Sequence, residues 1–327
     1  MRNEERLSRE DDIFLNNELR RIEKAIIDVD YPDMPFATGK IIPISTELPA
    51  GTKWYSYKIR NKLGMSKVIA NPADDLPRVG IDYKEVAGKI INIGNEFGYT
   101  FKDIRASKVA NKPLESDLMF SSKEANMLLF DNVLQYGDAF SNILGLYNNP
   151  NVTEYAVGTG GTGSPNTLWI SAGVGVKTAD QIIADICGLI RSVVVTSKGI
   201  KKVNRLLMPL EHHTYITQTP RSAVSDKTIF DWVKSVNPGV EFIPLHSLEK
   251  TNLTANGILG PDGVSALTGS MMVAMSVSID SIRAHNPLVH TLHPMYQKGL
   301  ELITPTEMEF GGVDIKKPIG FAYAKNI

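Results

Sequence analysis

The stretch Trp54-Tyr55-Ser56-Tyr57-Lys58-Ile59-Arg60 places an apolar or aromatic residue at every second position. This is the side-chain period of a β-strand. A second extended run covers residues 86–93, and turn-forming residues at 71–77 separate the two runs. Together they predict a long two-stranded ribbon. An isolated two-stranded ribbon is marginally stable in water, so another surface is expected to cover this one.

The residues before the ribbon predict a charged arm that leads into a helix. Ser8 and Asp11 have the spacing of a weak capping box. Apolar residues then recur at helical spacing at Leu15, Leu19, Ile22 and Ile26. This apolar stripe is short and one-sided, so it requires a partner surface on its own chain or on another chain.

A long helical region follows the ribbon. Thr100 is a predicted N-cap, and Asp103 suits the positive end of a helix. A second helix is predicted from Leu114 to Gln135, which at 1.5 Å per residue spans about 33 Å. Its predicted apolar face comprises Leu118, Ala125, Leu128, Leu129 and Val133.

From residue 178 onward the pattern is that of an α/β unit. Thr178 and Gln181 have capping-box spacing at the start of a helix that runs to Ser192. Asp226 is the predicted cap of a short helix that ends at Val236. Strands are predicted at residues 205–210, 240–245 and 270–277, and again within 301–327.

Composition excludes several classes of protein. Of the 327 residues, 43% are apolar and 22% are charged, which is typical of a globular protein. The 35 Lys and Arg balance the 36 Asp and Glu, and this argues against a dedicated nucleic-acid binder. No run of 18 apolar residues predicts a membrane span, and the charged start does not resemble a secretory signal. The single cysteine excludes an intrachain disulfide.

The segment Gly158–Gly163 is a candidate nucleotide-binding loop. Gly158, Gly160 and Gly163 have the G-x-G-x-x-G spacing of a dinucleotide fingerprint. A phosphate loop would need a Lys after the last glycine, but Ser164 and Pro165 follow instead. A surface loop is therefore the favoured interpretation.

Other candidate chemistry is equally weak. Three histidines cluster at positions 285, 290 and 293, but prolines interrupt any helix that could align them for zinc. Cys187, with His212 or His213 as its base, is a possible nucleophile, but a small buried hydrophobic residue is the simpler interpretation. We expect no catalytic site, no metal and no cofactor.

The order of these elements resembles the Hong Kong 97-type fold of tailed-phage major capsid proteins. That order is charged arm, β ribbon, long helix, α/β unit with a glycine-bearing loop, and C-terminal strands. Five stretches carry the likeness: residues 41–44, 64–67 with 75–77, 97–104, 145–152 and 311–321.

The resemblance implies an α+β fold with an N-arm, an E-loop, a P-domain around a long spine helix, and an A-domain. It assigns residues 1–34 to the N-arm and 35–98 to the E-loop ribbon and its base strands. Residues 99–170 would form the P-domain with the spine helix, and 171–293 the A-domain. Residues 294–327 would be strands that return to the P-domain.

The resemblance also implies function. The chain would be a structural protein that self-assembles, as hexamers and pentamers, into an icosahedral phage head around double-stranded DNA. The expected partners are separate scaffold and portal proteins and decoration proteins, with weak non-specific contact to DNA and no membrane. Assembly would take place in the bacterial host cytoplasm. The candidate contacts between copies are Leu15, Leu19, Ile22, Trp54, Tyr55, Tyr57, Lys58 and Arg60.

Two alternatives remain open. An encapsulin-type bacterial nanocompartment has the same fold but carries protein cargo. A nucleotide-dependent enzyme that uses Gly158–Gly163 is the alternative from a different class.

Overall fold

The computed structural model describes residues 33–68, 76–110, 114–160, 167–171, 174–222, 224 and 226–327. The chain divides into two units, Met1–Asp33 and Met34–Ile327. All elements described below belong to the second unit.

The described residues form an α+β fold. Its helices are α1 (Phe101–Ala110), α2 (Leu114–Tyr136), α3 (Ala179–Thr196), α4 (Leu210–Gln218), α5 (Ile229–Val236) and α6 (Lys250–Ala255). Its strands are β1 (Ile44–Ser45), β2 (Trp54–Leu63), β3 (Gly80–Thr100), β4 (Thr153–Tyr155), β5 (Ile170–Ser171), β6 (Val174–Gly175), β7 (Arg205–Pro209), β8 (Glu241–Leu245), β9 (Met271–Met275), β10 (Ile282–His285), β11 (Leu288–Leu292), β12 (Tyr296–Lys298), β13 (Glu301–Gly311), β14 (Val313–Ile315) and β15 (Phe321–Lys325).

Strand β3 joins the β2–β3 ribbon to the rest of the described structure, which is called the body below. Its 21 residues span about 70 Å at the usual rise per residue. The outer half, 80–89, pairs with β2 in the predicted ribbon. The inner half, 90–100, pairs with β13 in antiparallel register from Ile90↔Gly311 to Thr100↔Glu301. The ribbon is therefore the continuation of a strand that is already fixed in the body.

Strands β2 and β3 belong to a five-stranded sheet in the order β11-β13-β3-β2, with β12 paired to β13. The α/β unit is built on a second five-stranded sheet, in the order β4-β15-β9-β7-β8. Because side chains alternate along a strand, each of its central strands contributes to two cores. On β7, Leu207 packs into one hydrophobic cluster while Leu206 and Met208 pack into the other. Both faces of the sheet are thus covered, which explains the continuous apolar runs in the sequence.

Strand pairing departs from the expected domain boundaries at the C-terminus. Residues 321–325, expected to return to the P-domain, form β15 between β4 and β9, inside the sheet of the α/β unit. In contrast, β10 and β11 were expected in the A-domain but pair with β14 and β13. Alternating polarity predicts that a segment is a strand, but it carries no information about which strand is the partner.

The buried face of the long helix α2 mixes polar and apolar side chains, and the apolar face predicted for it is largely wrong. Ala125, Leu128 and Leu129 are exposed, and Leu118 is only half-buried; of the five predicted residues, Val133 alone is buried. The buried positions instead include Ser122, Asn126, Phe130, Asp131 and Leu134.

Hydrogen bonds explain this inversion. Ser122 Oγ donates to Asn95 Oδ1 on β3 at 2.6 Å, and Asn126 Nδ2 donates to Thr306 Oγ1 on β13 at 3.3 Å. Asn126 Nδ2 also lies 3.0 Å from His290 Nδ1 on β11. Buried polar groups are tolerated when they are paired in this way, and a count of apolar residues cannot foresee the pairing.

The predicted caps are largely confirmed. The Thr100 backbone N–H donates to Asp103 Oδ2 at 3.0 Å, and the Asp103 N–H donates to Thr100 Oγ1 at 3.2 Å. At α3, the Thr178 N–H donates to Gln181 Oε1. The cap predicted at Asp226 is wrong, because Thr228 accepts the Asp231 N–H and α5 begins at Ile229. Both residues are competent N-caps, and the chain uses the one nearer the apolar run.

Asp131 fixes the start of the described body to helix α2, which yields a first prediction. Its Oδ1 accepts the N–H groups of Phe36 and Ala37 at 2.9 and 2.8 Å, and the carboxylate is almost fully buried. Asp131→Ala should lower the free energy of unfolding by about 2–4 kcal/mol, because two buried donors lose their acceptor. Urea denaturation measures this. Glu124→Ala, at an exposed position on the same helix, is the control, and an equal loss in both variants would contradict the assignment.

Candidate assembly surface at the base of the ribbon

The outer part of the ribbon is exposed on both faces. From Lys58 to Leu63 only Ile59 and Leu63 are apolar, and both are open to solvent. On the return strand, residues 80–85 are all exposed, including Ile81 and Tyr83. This part of the ribbon therefore gains no burial from the described body of its own subunit.

Tyr55 packs the base of the ribbon against the body. Its contacts with His285 and Gly88 are called the seat below. Its ring lies against the imidazole of His285 on β10, with ring centroids 4.3 Å apart. It occupies the space above Gly88, its partner in the β2–β3 register, where an added Cβ would lie 2.2 Å from Tyr55 Cζ. The ring thus fits only because position 88 has no side chain.

Tyr57, on the same face two residues later, extends this seat. Lys316 Nζ lies 5.4 Å from the centre of its ring, within cation–π range. Burial, followed by the nearby Asp314 carboxylate, raises the pKa of the phenols of both Tyr55 and Tyr57. Both tyrosines therefore remain neutral at physiological pH and act through packing and hydrogen bonding.

Charged groups surround the seat. Asp314 on β14 is buried, and its Oδ2 lies 3.8 Å from Arg283 Nε and 3.7 Å from His285 Nε2. Arg283 also contacts Glu47, whose Oε2 lies 3.3 Å from Nη1. Just before β2, the Gly51 N–H donates to the carboxylate of Glu309 on β13 at 2.8 Å. The entry to the ribbon is therefore held by polar contacts to two different strands, β10 and β13.

The residues predicted as contacts between copies fall into three groups. Trp54 is 65% exposed, and Lys58 and Arg60 are also exposed, so all three are available to a neighbour. Tyr55 and Tyr57 pack largely against their own chain, although each is half-buried rather than fully buried. The arm residues Leu15, Leu19 and Ile22 lie outside the described residues. Contact with another copy remains a prediction for all eight.

Sequence reasoning missed the other half of the seat. His285 and Asp314 were not identified as partners of the ribbon, because both are distant in sequence and are brought to it by strand pairing. Gly88 carried a usable signal, since a glycine inside a strand run often marks a close approach.

The described residues of the candidate nucleotide-binding loop, 158–160, do not have the contacts of a phosphate loop. The Gly158 backbone is already engaged: its N–H donates to Asp185 Oδ1 at 3.2 Å, and its carbonyl accepts from Lys177 Nζ at 2.6 Å. The next helix of the described chain begins only at Ala179, so the strand–loop–helix order is missing. Residues 161–166 lie outside the described part.

A buried ion pair holds this segment. Lys177 Nζ lies 2.6 Å from Asp185 Oδ2 on helix α3, and both residues are buried. Asp185 Oδ2 also accepts from Trp169 Nε1 at 2.9 Å. Every polar group of this cluster has a partner, so the cluster has the character of a structural clamp.

The remaining candidate chemistry has no supporting geometry. Burial raises the pKa of the Cys187 thiol and lowers the pKa of His212 to about 4, which is opposite to what a thiolate nucleophile requires. Across the described ranges, no three histidine, cysteine or carboxylate side chains lie close enough together to hold a metal ion. None of the helices in those ranges is long and apolar enough to cross a bilayer.

Comparison with protein-family models decides the identity of the chain. The model described as "Major capsid protein" matches residues 64–327. The chain belongs to this family. Membership implies a structural capsid protein, in keeping with the seat and the exposed ribbon described above.

Solved structures confirm the Hong Kong 97-type capsid fold. The capsid of Myoviridae phage XM1 is similar over 95% of this chain and 98% of its own, with a TM-score of 0.76 and 13% identity. A structure from Mycobacterium phage Bobi covers 97% and 98%, with a TM-score of 0.61 and 11% identity. The capsid of an empty GTA particle covers 96% and 97%, with a TM-score of 0.58 and 8% identity. No curated protein sequence matches the chain.

The close packing of the Tyr55 ring over Gly88 predicts the effect of a substitution at position 88. Gly88→Ala places a methyl group where the Tyr55 ring now lies, so it should lower the free energy of unfolding by about 1–3 kcal/mol. It should also increase hydrogen exchange at the base of the ribbon. Gly80→Ala, on the outer end of the same strand with nothing within 4 Å of its added Cβ, is the control. In a Tyr55→Ala background Gly88→Ala should cost much less; equal costs in the two backgrounds would exclude the seat.

The buried ion pair of Lys177 and Asp185 predicts the effect of removing its cation. Lys177→Met leaves Asp185 buried without its cation, so it should lower the free energy of unfolding by about 3–5 kcal/mol in urea denaturation. Lys202→Met removes an exposed lysine outside the pair and should have little effect. A small effect at Lys177 would mean that the pair is not formed in solution.

Proposed function

We propose that many copies of this chain assemble into the icosahedral head of a tailed phage and enclose its double-stranded DNA. The observation that carries the proposal is the ribbon, which is fixed at its base and exposed along its outer part. An element that is held at its base and gains no burial from its own subunit is suited to bind a neighbour. Aromatic and arginine side chains, which commonly supply binding energy at interfaces, are placed on it at Trp54 and Arg60.

The proposed organisation follows the family. Residues 1–34 act as the N-arm, 35–98 as the E-loop ribbon with its base, and 99–170 as the P-domain around α2. Residues 171–293 act as the A-domain, and 294–327 act as strands that return to the P-domain, of which 321–325 also pair with β4 and β9. Copies of the chain form hexamers and pentamers, so one sequence makes several different contacts that symmetry repeats.

Other partners are proposed on the same basis. Scaffold, portal and decoration proteins would be separate chains that act during assembly in the cytoplasm of a bacterial host. DNA is held by weak, non-specific contact, which agrees with a net charge of −1 and with the need to release the genome. We propose no enzymatic activity and no cofactor.

Trp54 provides the test. Purified chain should form large particles in negative-stain microscopy and light scattering. Trp54→Ala should reduce particle yield at least about tenfold, because an exposed interface aromatic is lost, while the melting temperature of the subunit stays nearly unchanged. Ile279→Ala, at another exposed apolar position outside the ribbon, should assemble normally.

Two results would each contradict a different part of the proposal, the first the assembly itself and the second the role of Trp54. One is wild-type chain that never forms particles, alone or with its scaffold. The other is Trp54→Ala chain that assembles as well as wild type, which would remove Trp54 from the contact surface while leaving assembly itself intact.

A further inference from the structure

Phe140 is a fully exposed aromatic residue on a rigid turn. Its side chain is 100% exposed, just beyond the end of helix α2. The turn is closed by two backbone hydrogen bonds of 2.9 Å between Asp138 and Ile143. The Asp138 carboxylate also accepts the N–H groups of Ser141, at 2.9 Å, and Phe140, at 3.3 Å.

The turn is fixed on the helix as well as within itself. Gly137, with φ +78°, ends α2 in the left-handed conformation, and its N–H donates to the Val133 carbonyl at 2.9 Å. An added Cβ at Gly137 would lie 2.4 Å from the Ile143 carbonyl oxygen, so only glycine fits. The backbone of the turn is thus fixed, and it holds a large apolar side chain in water, where that side chain contributes no burial to the described subunit.

The residues on either side of Phe140 in the turn, Asp138 and Ser141, line a groove. Its volume is about 680 Å³, within the usual range of binding pockets. Ile91 and Ile93 of β3 line one side, and Leu129, Val133 and Tyr136 of α2 line the other. Leu129 is one of the apolar residues that the polar packing of α2 leaves exposed. Asp138 and Ser141 also line the groove, so Phe140 stands at its rim.

A projecting side chain (the knob, Phe140) and a groove on the same surface are suited to a two-fold contact between identical subunits. In such a contact, each copy offers the same surface, and residue i of one copy meets residue j of the other in both directions. Charge is complementary as well, because Lys89 and Asp138 both line the groove, and a two-fold rotation can bring each near the opposite charge of the other copy. Hydrogen bonding to Ser141 lowers the pKa of Asp138, which keeps it ionised.

We infer that Phe140 and the adjoining groove form a two-fold contact between two copies of this chain, in which each Phe140 enters the groove of the other copy. The inference rests on the proposed assembly and adds to it a specific interface outside the ribbon. The occupant is a second copy, because the knob and the groove belong to one surface and satisfy each other.

The test uses two variants that disable opposite halves of the contact. Phe140→Ser removes the knob, and Leu129→Glu places a charge in the groove. Each variant alone should reduce particle yield, and the two-copy association of unassembled subunits in sedimentation velocity, at least about tenfold. Both should melt close to wild type, because each side chain is exposed in the subunit. Phe140→Leu should retain assembly, and Phe120→Ser, an exposed phenylalanine elsewhere on α2, is the matched control.

Mixing the variants tests whether the two residues meet. In a mixed pair, the intact Phe140 of the Leu129→Glu chain faces the intact groove of the Phe140→Ser chain, so half of the contact is restored. The mixture should therefore recover particles or pairs that neither variant forms alone.

Three outcomes would overturn the inference: normal assembly by Phe140→Ser, no recovery in the mixture, or an equal loss in the Phe120→Ser control. These differ from failure of the proposed function, in which wild-type chain forms neither particles nor pairs.

Discussion

Strand β3 pairs with a strand of the body and with a strand of the ribbon, and the rest of the structure depends on this shared strand. The inner half of β3 is fixed by eleven register positions against β13, while among the described strands the outer half pairs with β2 alone. A ribbon attached through a loop would move independently of the body. Because β3 is continuous, its direction at the body constrains the direction of the ribbon, and the Tyr55–His285 contact adds a second point of attachment.

The polar face of α2 follows from the same arrangement. Helix α2 packs across β3 and β13 through hydrogen bonds of Ser122 and Asn126 to Asn95 and Thr306. Nearer its C-terminal end it also packs through apolar contacts such as Phe130 against Phe310. Hydrogen bonds fix the helix in one register, because a shift by one residue would leave several buried groups without partners. The apolar side chains that this packing leaves outside, including Leu128 and Leu129, then become surface available to other copies.

The sequence predicted the elements better than their contacts. Period-two alternation at 54–60 and capping at Thr100 and Thr178 are local signals, and the ribbon and the helix starts were confirmed. The choice of strand partners is not local: the C-terminal strand 321–325 pairs inside the α/β sheet, which its alternation could not reveal. The face of α2 was wrong because side-chain hydrogen bonds across the sheet outweighed the apolar count. The seat required His285 and Asp314, which approach Tyr55 only after the fold has formed.

The central claim is that the outer ribbon, fixed at its base, becomes buried only in the assembled shell. Hydrogen exchange on free subunits and on assembled particles tests it most directly. Amides around residues 88–91 should be protected in both states, while those in 56–63 and 80–86 should exchange readily in the subunit and become protected in the particle. Equal exchange of the outer ribbon in the two states would contradict the claim.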